Sequence, residues 1–181
     1  MIRTAPAKLL LLIFLLANAS VVLSQDTADT PRDKTRTRLN ALLQREGPGV
    51  RVEFHPSEKS PYLFAGTLRE GLKNADSMEI LISVSPSETI NVRVFPHYRN
   101  ALINIDKARN SSLLLRKLLQ LNDKTFLFWG ATETGDIFTG YTFTLESGFP
   151  DAAIQIVLSS IKNSDQFVGE LRAAIDGSSG Q

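Results

Sequence analysis

The stretch SSLLLRKLLQLNDKTFLFWG (residues 111–130) says most about how this chain folds, because a helical pattern runs directly into a strand pattern. It contains seven leucines, two phenylalanines and the only tryptophan of the 181 residues. The spacing predicts a helix over residues 113–122, capped by Ser111 or Ser112, and then a strand over residues 125–131.

The predicted helix has two apolar sides. At about 100° per residue, Leu114, Leu118 and Leu121 lie on one side, and Leu115 and Leu119 lie roughly a quarter-turn further round. One apolar side is enough to cover a sheet. The second side therefore needs another contact, either with a helix of the same domain or with another chain.

The predicted strand is apolar on both faces. Phe126 and Phe128 share one face, and Leu127 and Trp129 share the other. Strands of antiparallel sheets usually have one face in water, so this pattern indicates cover on both sides. The cover comes either from helices of the domain or from a partner. Under the second alternative, the dimer or partner surface consists of Leu115, Leu119, Leu127 and Trp129.

The N-terminus is typical of a secretory signal peptide, predicted over residues 1–24. Arg3 and Lys8 form a positive flank, residues 9–16 are an unbroken apolar run, and small residues precede Gln25. The apolar run is shorter than the roughly 20 residues of a membrane span. We therefore expect an exported protein, periplasmic or secreted, without a stable membrane anchor after cleavage.

Charge and cysteine content exclude several classes of function. Removing residues 1–24 lowers Lys plus Arg from 20 to 18 against 19 Asp plus Glu, so the net charge changes from +1 to −1. A near-neutral chain does not predict nucleic-acid binding. Cysteine is absent, which excludes thiol nucleophiles and thiolate metal sites.

The rest of the chain predicts a single α+β domain. Residues 25–32 are expected to be a disordered leader, residues 33–176 the domain, and residues 177–181 a disordered tail. The order is α-β-β-β-β-α-β-β-α, which predicts an antiparallel sheet flanked by helices. The predicted elements are a helix over residues 33–46, strands over 50–55, 62–68, 78–84 and 90–94, the helix over 113–122, strands over 125–131 and 137–145, and a helical region from residue 151 that is either continuous or broken near 163–165.

The candidate catalytic and metal-binding residues are few. The two histidines, His55 and His97, each lie beside a proline, and Glu53 is the carboxylate next to His55 on its predicted strand face. Glu133 and Asp136 fall in a turn that is too exposed to shift a pKa usefully. Hydrolase, zinc-protease and phosphate-loop motifs are absent from the sequence. We expect no enzymatic activity and no catalytic, metal-binding or cofactor-binding residues.

The C-terminal part resembles a known family. The runs LLLRKLLQLNDKTFLFWG and GFPDAAIQIVLSSIKNSDQFVGEL are similar to the C-terminal half of YbjN-like proteins over residues 110–172. That family shares the fold of type III secretion chaperones. The resemblance implies a non-enzymatic α+β domain that binds proteins and often dimerises through its middle helix and strands. The residues that carry it are Leu118, Leu121, Asn122, Phe126, Phe128, Glu133, Gly135, Asp136 and the helix from Asp151.

Two functions remain open from the sequence. The first is an exported protein-binding domain, chaperone-like, that forms a homodimer or binds a protein client. The second is a periplasmic small-molecule or lipid-binding module, with an apolar pocket beneath the C-terminal helix and Tyr141 and Phe143 as its floor.

Overall fold

A computed structural model describes residues 29–177 of the chain, so the predicted signal peptide, residues 25–28 of the leader and residues 178–181 of the tail lie outside the described residues. The helices are α1 (Pro31–Glu46), α2 (Ser111–Lys124), α3 (Asp151–Ser160) and α4 (Asp165–Asp176), with 3-10 turns at Gly47–Val50 and Ile161–Ser164. The strands are β1 (His55–Ser57), β2 (Ser60–Leu68), β3 (Ser77–Val84), β4 (Ile90–Tyr98), β5 (Ala101–Leu102), β6 (Phe128–Ala131) and β7 (Ile137–Phe143).

The strands form one antiparallel sheet, which confirms the predicted α+β class. Their order is β1-β2-β3-β4-β7-β6, and β5 pairs with the end of β4. The chain leaves the sheet after β5, forms α2, and returns as the hairpin β6–β7. Because β7 and not β6 pairs with β4, β6 becomes the outermost strand on that side.

All four helices contribute to a single hydrophobic core on one face of the sheet. On β3, the side chains of Met78, Ile80, Ile82 and Val84 alternate into this core, and the residues between them are half-exposed. That alternation follows from the period of two along a strand. The opposite face carries no helix among residues 29–177, so any apolar side chain there is covered only by its neighbours on the sheet.

Helix α1 begins two residues earlier than predicted. Its N-cap is Thr30, which forms a capping box with Asp33, the third helical residue. Pro31 and Arg32, which the sequence assigned to the leader, are therefore helical. Pro31 suits the first helical turn because its missing N–H would have no helical partner there.

The first predicted strand is wrong over residues 50–54. Gly47–Val50 is a 3-10 turn, and regular pairing begins only at His55, which lies opposite Ala65. The backbone N–H of Val52 donates to the Gly47 carbonyl at 2.9 Å, so the chain reverses too tightly to pair with β2. Val52 and Phe54 are nevertheless buried in the core.

The C-terminal helical region is broken, at the position that the sequence left open. The carboxylate of Asp165, the first residue of α4, is buried and accepts the backbone N–H groups of Lys73 at 2.7 Å, Asn74 at 3.0 Å and Ala75 at 2.8 Å. This contact joins the loop between β2 and β3 to the start of α4. It sets the direction of α4 independently of α3.

We expect Asp165→Asn to destabilise the domain by at least about 2 kcal/mol, because buried N–H donors lose a charged acceptor. Unfolding in urea would measure the loss. The matched control is Asp151→Asn at the start of α3, whose carboxylate pairs with Arg38 at the surface. An exposed pair of this kind contributes less than about 1 kcal/mol. Equal losses in the two variants would contradict the role assigned to Asp165.

Candidate functional site

The large exposed apolar side chains concentrate in one short segment. Among residues 29–177 there are five: Leu115, Leu119, Phe126, Phe128 and Ile156. The first four fall within 14 consecutive residues, on α2, in the segment after it and at the start of β6. We call these four residues the α2–β6 surface.

The predicted partner residues divide between this surface and the core. Leu115 and Leu119 are 46% and 72% exposed, so both are accessible to a partner, and their role remains a prediction. Leu127 and Trp129 are 5% and 4% exposed and belong to the hydrophobic core, so their assignment to a partner surface is wrong. The helices of the domain therefore cover the side chains of Leu127 and Trp129, which was one of the two alternatives open from the sequence.

Sequence reasoning placed Phe126 and Phe128 on one face but did not select them as surface residues. The alternation separates this pair from Leu127 and Trp129, yet both pairs are equally apolar. In the structure β6 begins only at Phe128, so the predicted strand is wrong over residues 125–127. Phe126 stacks on Tyr141, whose strand partner Val92 lies in the core, so the prediction that Phe126 and Phe128 share a face is also wrong. The position of the helices decides that Trp129 is covered and Phe128 is not. No signal in the sequence distinguishes them.

Phe128 belongs to an aromatic cluster on the face of the sheet without helices. The ring of Phe138 lies 5.8 Å from Phe128 and 5.7 Å from Phe95, measured between ring centroids. The Arg93 guanidinium lies 4.7 Å from the centroid of Phe138. Phe95 and Phe138 are buried by these contacts, and Phe128, at 41% exposed, is the accessible edge of the cluster.

The side chain of Asn122 closes the outer edge of β6. Its amide nitrogen donates to the Trp129 carbonyl at 3.0 Å, and its amide oxygen accepts the Trp129 N–H at 2.5 Å. The amide of Asn122 thus makes the pair of hydrogen bonds that a further strand would make. A partner cannot add a strand at Trp129 unless this amide moves, so the α2–β6 surface offers side chains rather than backbone.

The predicted floor of the ligand pocket is taken up by aromatic packing. Tyr141 stacks on Phe126 with ring centroids 5.0 Å apart, and Phe143 lies 4.8 Å from Tyr141. Phe126, from the segment before β6, therefore covers the surface that the sequence assigned to a ligand.

The two histidines lie on different strands of the sheet, with β2 and β3 between them. His55 on β1 is exposed, and its Nε2 lies 3.7 Å from Glu53. His97 on β4 lies 3.6 Å from Glu79, beside a polar cavity of about 430 Å³ on the face without helices. Within residues 29–177, no group of three or more His, Asp or Glu side chains is placed to hold a metal ion.

Of the two acidic turn residues, Asp136 has a structural role. The Asn104 amide donates to Asp136 at 2.8 Å and to the Thr134 carbonyl at 2.7 Å, and the Thr134 hydroxyl donates to Asp136 at 2.9 Å. These bonds, that from Asn104 most of all, lower the pKa of Asp136. The carboxylate thereby joins the β6–β7 turn to the segment before α2, whereas Glu133 is exposed.

Comparison with solved structures yields a likeness of fold. No protein-family model matches the chain, and no curated protein matches it. The chain is similar to the crystal structure of YbjN from E. coli, a protein proposed to regulate transcription. The two are 13% identical, the TM-score is 0.47, and the match covers 76% of this chain and 91% of that one. The resemblance to YbjN-like proteins is thus confirmed as a weak likeness of fold alone.

No helix within residues 29–177 combines the length and the apolar character needed to cross a membrane.

We expect Asn122→Ala to free the outer edge of β6 and to speed hydrogen exchange of the Trp129 amide. It should also cost about 1–2 kcal/mol of stability, because two hydrogen bonds to the backbone are lost. Exchange followed by NMR measures the first effect, and urea unfolding measures the second. Asp123→Ala, at the next position of α2, is the control, and unchanged exchange at Trp129 in Asn122→Ala would contradict the assignment.

We expect the stability difference between the wild type and Asp136→Asn to depend on pH. The folded-state pKa of Asp136 is lowered, so its contribution is present above the unfolded-state value of about 3.9. As the pH falls through the folded-state pKa, the contribution is lost and the two proteins converge. Urea unfolding between about pH 6 and pH 3 tests this, with Glu133→Gln as the control in the same turn. If the difference in stability between the wild type and Asp136→Asn stays constant with pH, the pKa of Asp136 is not shifted.

Proposed function

We propose that this protein is an exported, non-enzymatic, chaperone-like domain that binds proteins through its α2–β6 surface and forms a homodimer there. The supporting observation is the concentration of exposed apolar side chains at Leu115, Leu119, Phe126 and Phe128. Scattered apolar residues are ordinary on a protein surface, but four within one short segment favour an interaction site. A protein client is the second class of partner for the same residues.

The energetics favour a two-fold dimer over a one-sided contact. Complete burial of a Leu or Phe side chain contributes about 1.5–3 kcal/mol. The four residues are already about half covered, so a partner would gain roughly 4 kcal/mol in all from them. This gain in free energy only equals the lower end of the free-energy cost of association, which is about 4–15 kcal/mol. A symmetric dimer uses the same surface of both copies and about doubles the gain.

The geometry of α2 suits such a dimer. Leu115 and Leu119 are four residues apart and form one short ridge on the helix. An antiparallel pairing of two α2 helices about a two-fold axis would place Leu115 of one copy against Leu119 of the other. The closed edge of β6 supports helix pairing over strand pairing, because Asn122 already occupies the backbone groups of Trp129.

The non-enzymatic part of the proposal rests on how the polar groups are used. The carboxylates of Asp136 and Asp165 each hold two segments of the chain together. Their hydrogen-bonding capacity therefore supports the fold rather than a reaction. Export rests on the predicted signal peptide alone, which lies outside the described residues.

We expect Leu119→Glu to convert the dimer into a monomer while the domain stays folded. Leu119 is 72% exposed, so its replacement costs the monomer little, whereas in the dimer each glutamate would place a charge against the apolar side chain of Leu115 of the other copy. Light scattering measures the mass, and circular dichroism and thermal unfolding check the fold. The matched control is Ile156→Glu on α3, which is 57% exposed and lies outside the α2–β6 surface.

A wild-type protein that is strictly monomeric and binds no apolar dye would contradict both the dimer and the client. Dissociation in Ile156→Glu but not in Leu119→Glu would place the interface elsewhere. Loss of folding in Leu119→Glu would mean that Leu119 supports the monomer, and Leu115→Ala would then have to dissociate a folded dimer for the proposal to stand.

A further inference from the structure

Two grooves adjoin beside the 3-10 turn that follows α1. The larger, of about 680 Å³, lies between the end of α1 and the end of β2. The smaller, of about 300 Å³, lies between the same turn and the end of α3. Arg51, Val52 and Glu70 line both grooves, so the ion pair of Arg51 with Glu70 lies where the two grooves meet.

Arg51 has an unfavourable backbone conformation at this junction. Its φ of 61° and ψ of 37° lie in the left-handed region that favours glycine. The tight reversal after α1 requires this conformation, because the Arg51 N–H donates to the Pro48 carbonyl at 3.1 Å and the Val52 N–H to the Gly47 carbonyl at 2.9 Å. Glycine would make the same reversal without the steric strain of a Cβ, so an arginine here lowers the stability of the fold.

The ion pair with Glu70 does not offset this strain. The Nη1 of Arg51 lies 3.2 Å from the Oε2 of Glu70, and the two side chains are 63% and 73% exposed. Exposed pairs of this kind contribute little to stability, because water screens the charges and two long side chains lose conformational freedom. The guanidinium of Arg51 is therefore accessible to another anion at little cost.

Two more cations line the grooves, Arg69 in the larger and Lys162 in the smaller. Neither forms an ion pair with any of residues 29–177. The ammonium of Lys162 lies over Gly71, where an added Cβ would come within 2.6 Å of its Nζ. The absence of a side chain at Gly71 thus gives this ammonium its place beside the smaller groove.

The charge balance favours an anionic ligand. Three cations line the grooves against two carboxylates, those of Glu53 and Glu70. Guanidinium groups bind carboxylates by charge-assisted hydrogen bonds, and clusters of arginine recognise acidic segments of proteins.

A nucleic acid suits these grooves less well than an acidic peptide. The two carboxylates disfavour the dense charge of a phosphate backbone. Single-stranded nucleic acids also bind by stacking their bases on aromatic side chains, and the one aromatic residue in the lining, Phe54, is only 1% exposed. A peptide with carboxylates spaced along an extended chain meets neither difficulty.

We infer that the two adjoining grooves bind an extended acidic segment of a partner protein, with its carboxylates against Arg51, Arg69 and Lys162. The segment displaces Glu70 from Arg51, so Glu70 acts as an internal competitor. The site is independent of the proposed homodimer, because neither groove includes a residue of the α2–β6 surface.

An NMR titration of the ¹⁵N-labelled protein with a peptide of alternating Glu and Gly, eight residues long, tests the inference. At about 10 mM salt, where screening is weak, the backbone amides of Arg51, Val52 and Glu70 should shift in a saturable way. A peptide of alternating Lys and Gly should not produce these shifts. Glu70→Gln removes the competing carboxylate and should tighten binding of the acidic peptide about two- to fivefold.

Arg51→Gly separates a binding role from a structural one. It should weaken binding of the acidic peptide about fivefold, the most that an exposed charge pair usually contributes. Because it also removes the strain, the unfolding temperature should stay unchanged or rise by about 2–4 °C. A purely structural Arg51 would give the opposite change in stability.

Two variants outside the grooves serve as controls. Glu88→Gly replaces another left-handed residue, with a φ of 60°, in the turn between β3 and β4. Arg116→Gln removes one exposed positive charge on α2. Neither should weaken binding of the acidic peptide.

Several results would overturn the inference. They are groove amides unmoved by the acidic peptide, equal shifts with the basic peptide, and equal weakening in Arg51→Gly and Arg116→Gln. A lower unfolding temperature in Arg51→Gly together with weaker binding would make Arg51 a structural residue. Equally tight binding of an oligothymidylate with the same number of charges would favour a nucleic acid instead. If Arg51→Gly fails to fold, Arg69→Gln must weaken binding and Glu70→Gln must tighten it.

Discussion

The sheet of this protein is covered by helices on one face only, and most other features follow from that constraint. Every strand has to direct one set of side chains into a single core, and the alternate set meets solvent or its own neighbours. Met78, Ile80 and Ile82 satisfy the rule with apolar residues inward. Phe95 and Phe138 lie on the other face and are buried only by each other and by the residues around them.

The same constraint separates the residues of the segment before and within β6. Trp129 faces the helices and Phe128 faces away from them. The amide of Asn122 holds the backbone at Trp129 from the outside, so β6 ends the sheet instead of exposing an open edge. The exposed phenylalanines can then act as side-chain contacts without inviting strand addition.

The α2–β6 surface offers accessible apolar area, for which any complementary apolar surface is a candidate partner. Phe126 is 58% exposed and also stacks on Tyr141, so it contributes both to this surface and to the packing of the sheet.

The sequence by itself determined the α+β class, a helix over residues 113–122 and the strands of both hairpins, because these depend on local periodicity and turn residues. It left open whether Leu115 and Leu119 are covered within the domain. It did not determine the tight reversal after α1 or which of Phe128 and Trp129 is buried. Nor did it show that Asp165 binds the loop at residues 73–75, about 90 positions away. Those depend on which segments meet in space: a strand that is apolar on both faces has no local preference, and only the packed helices decide which face is covered.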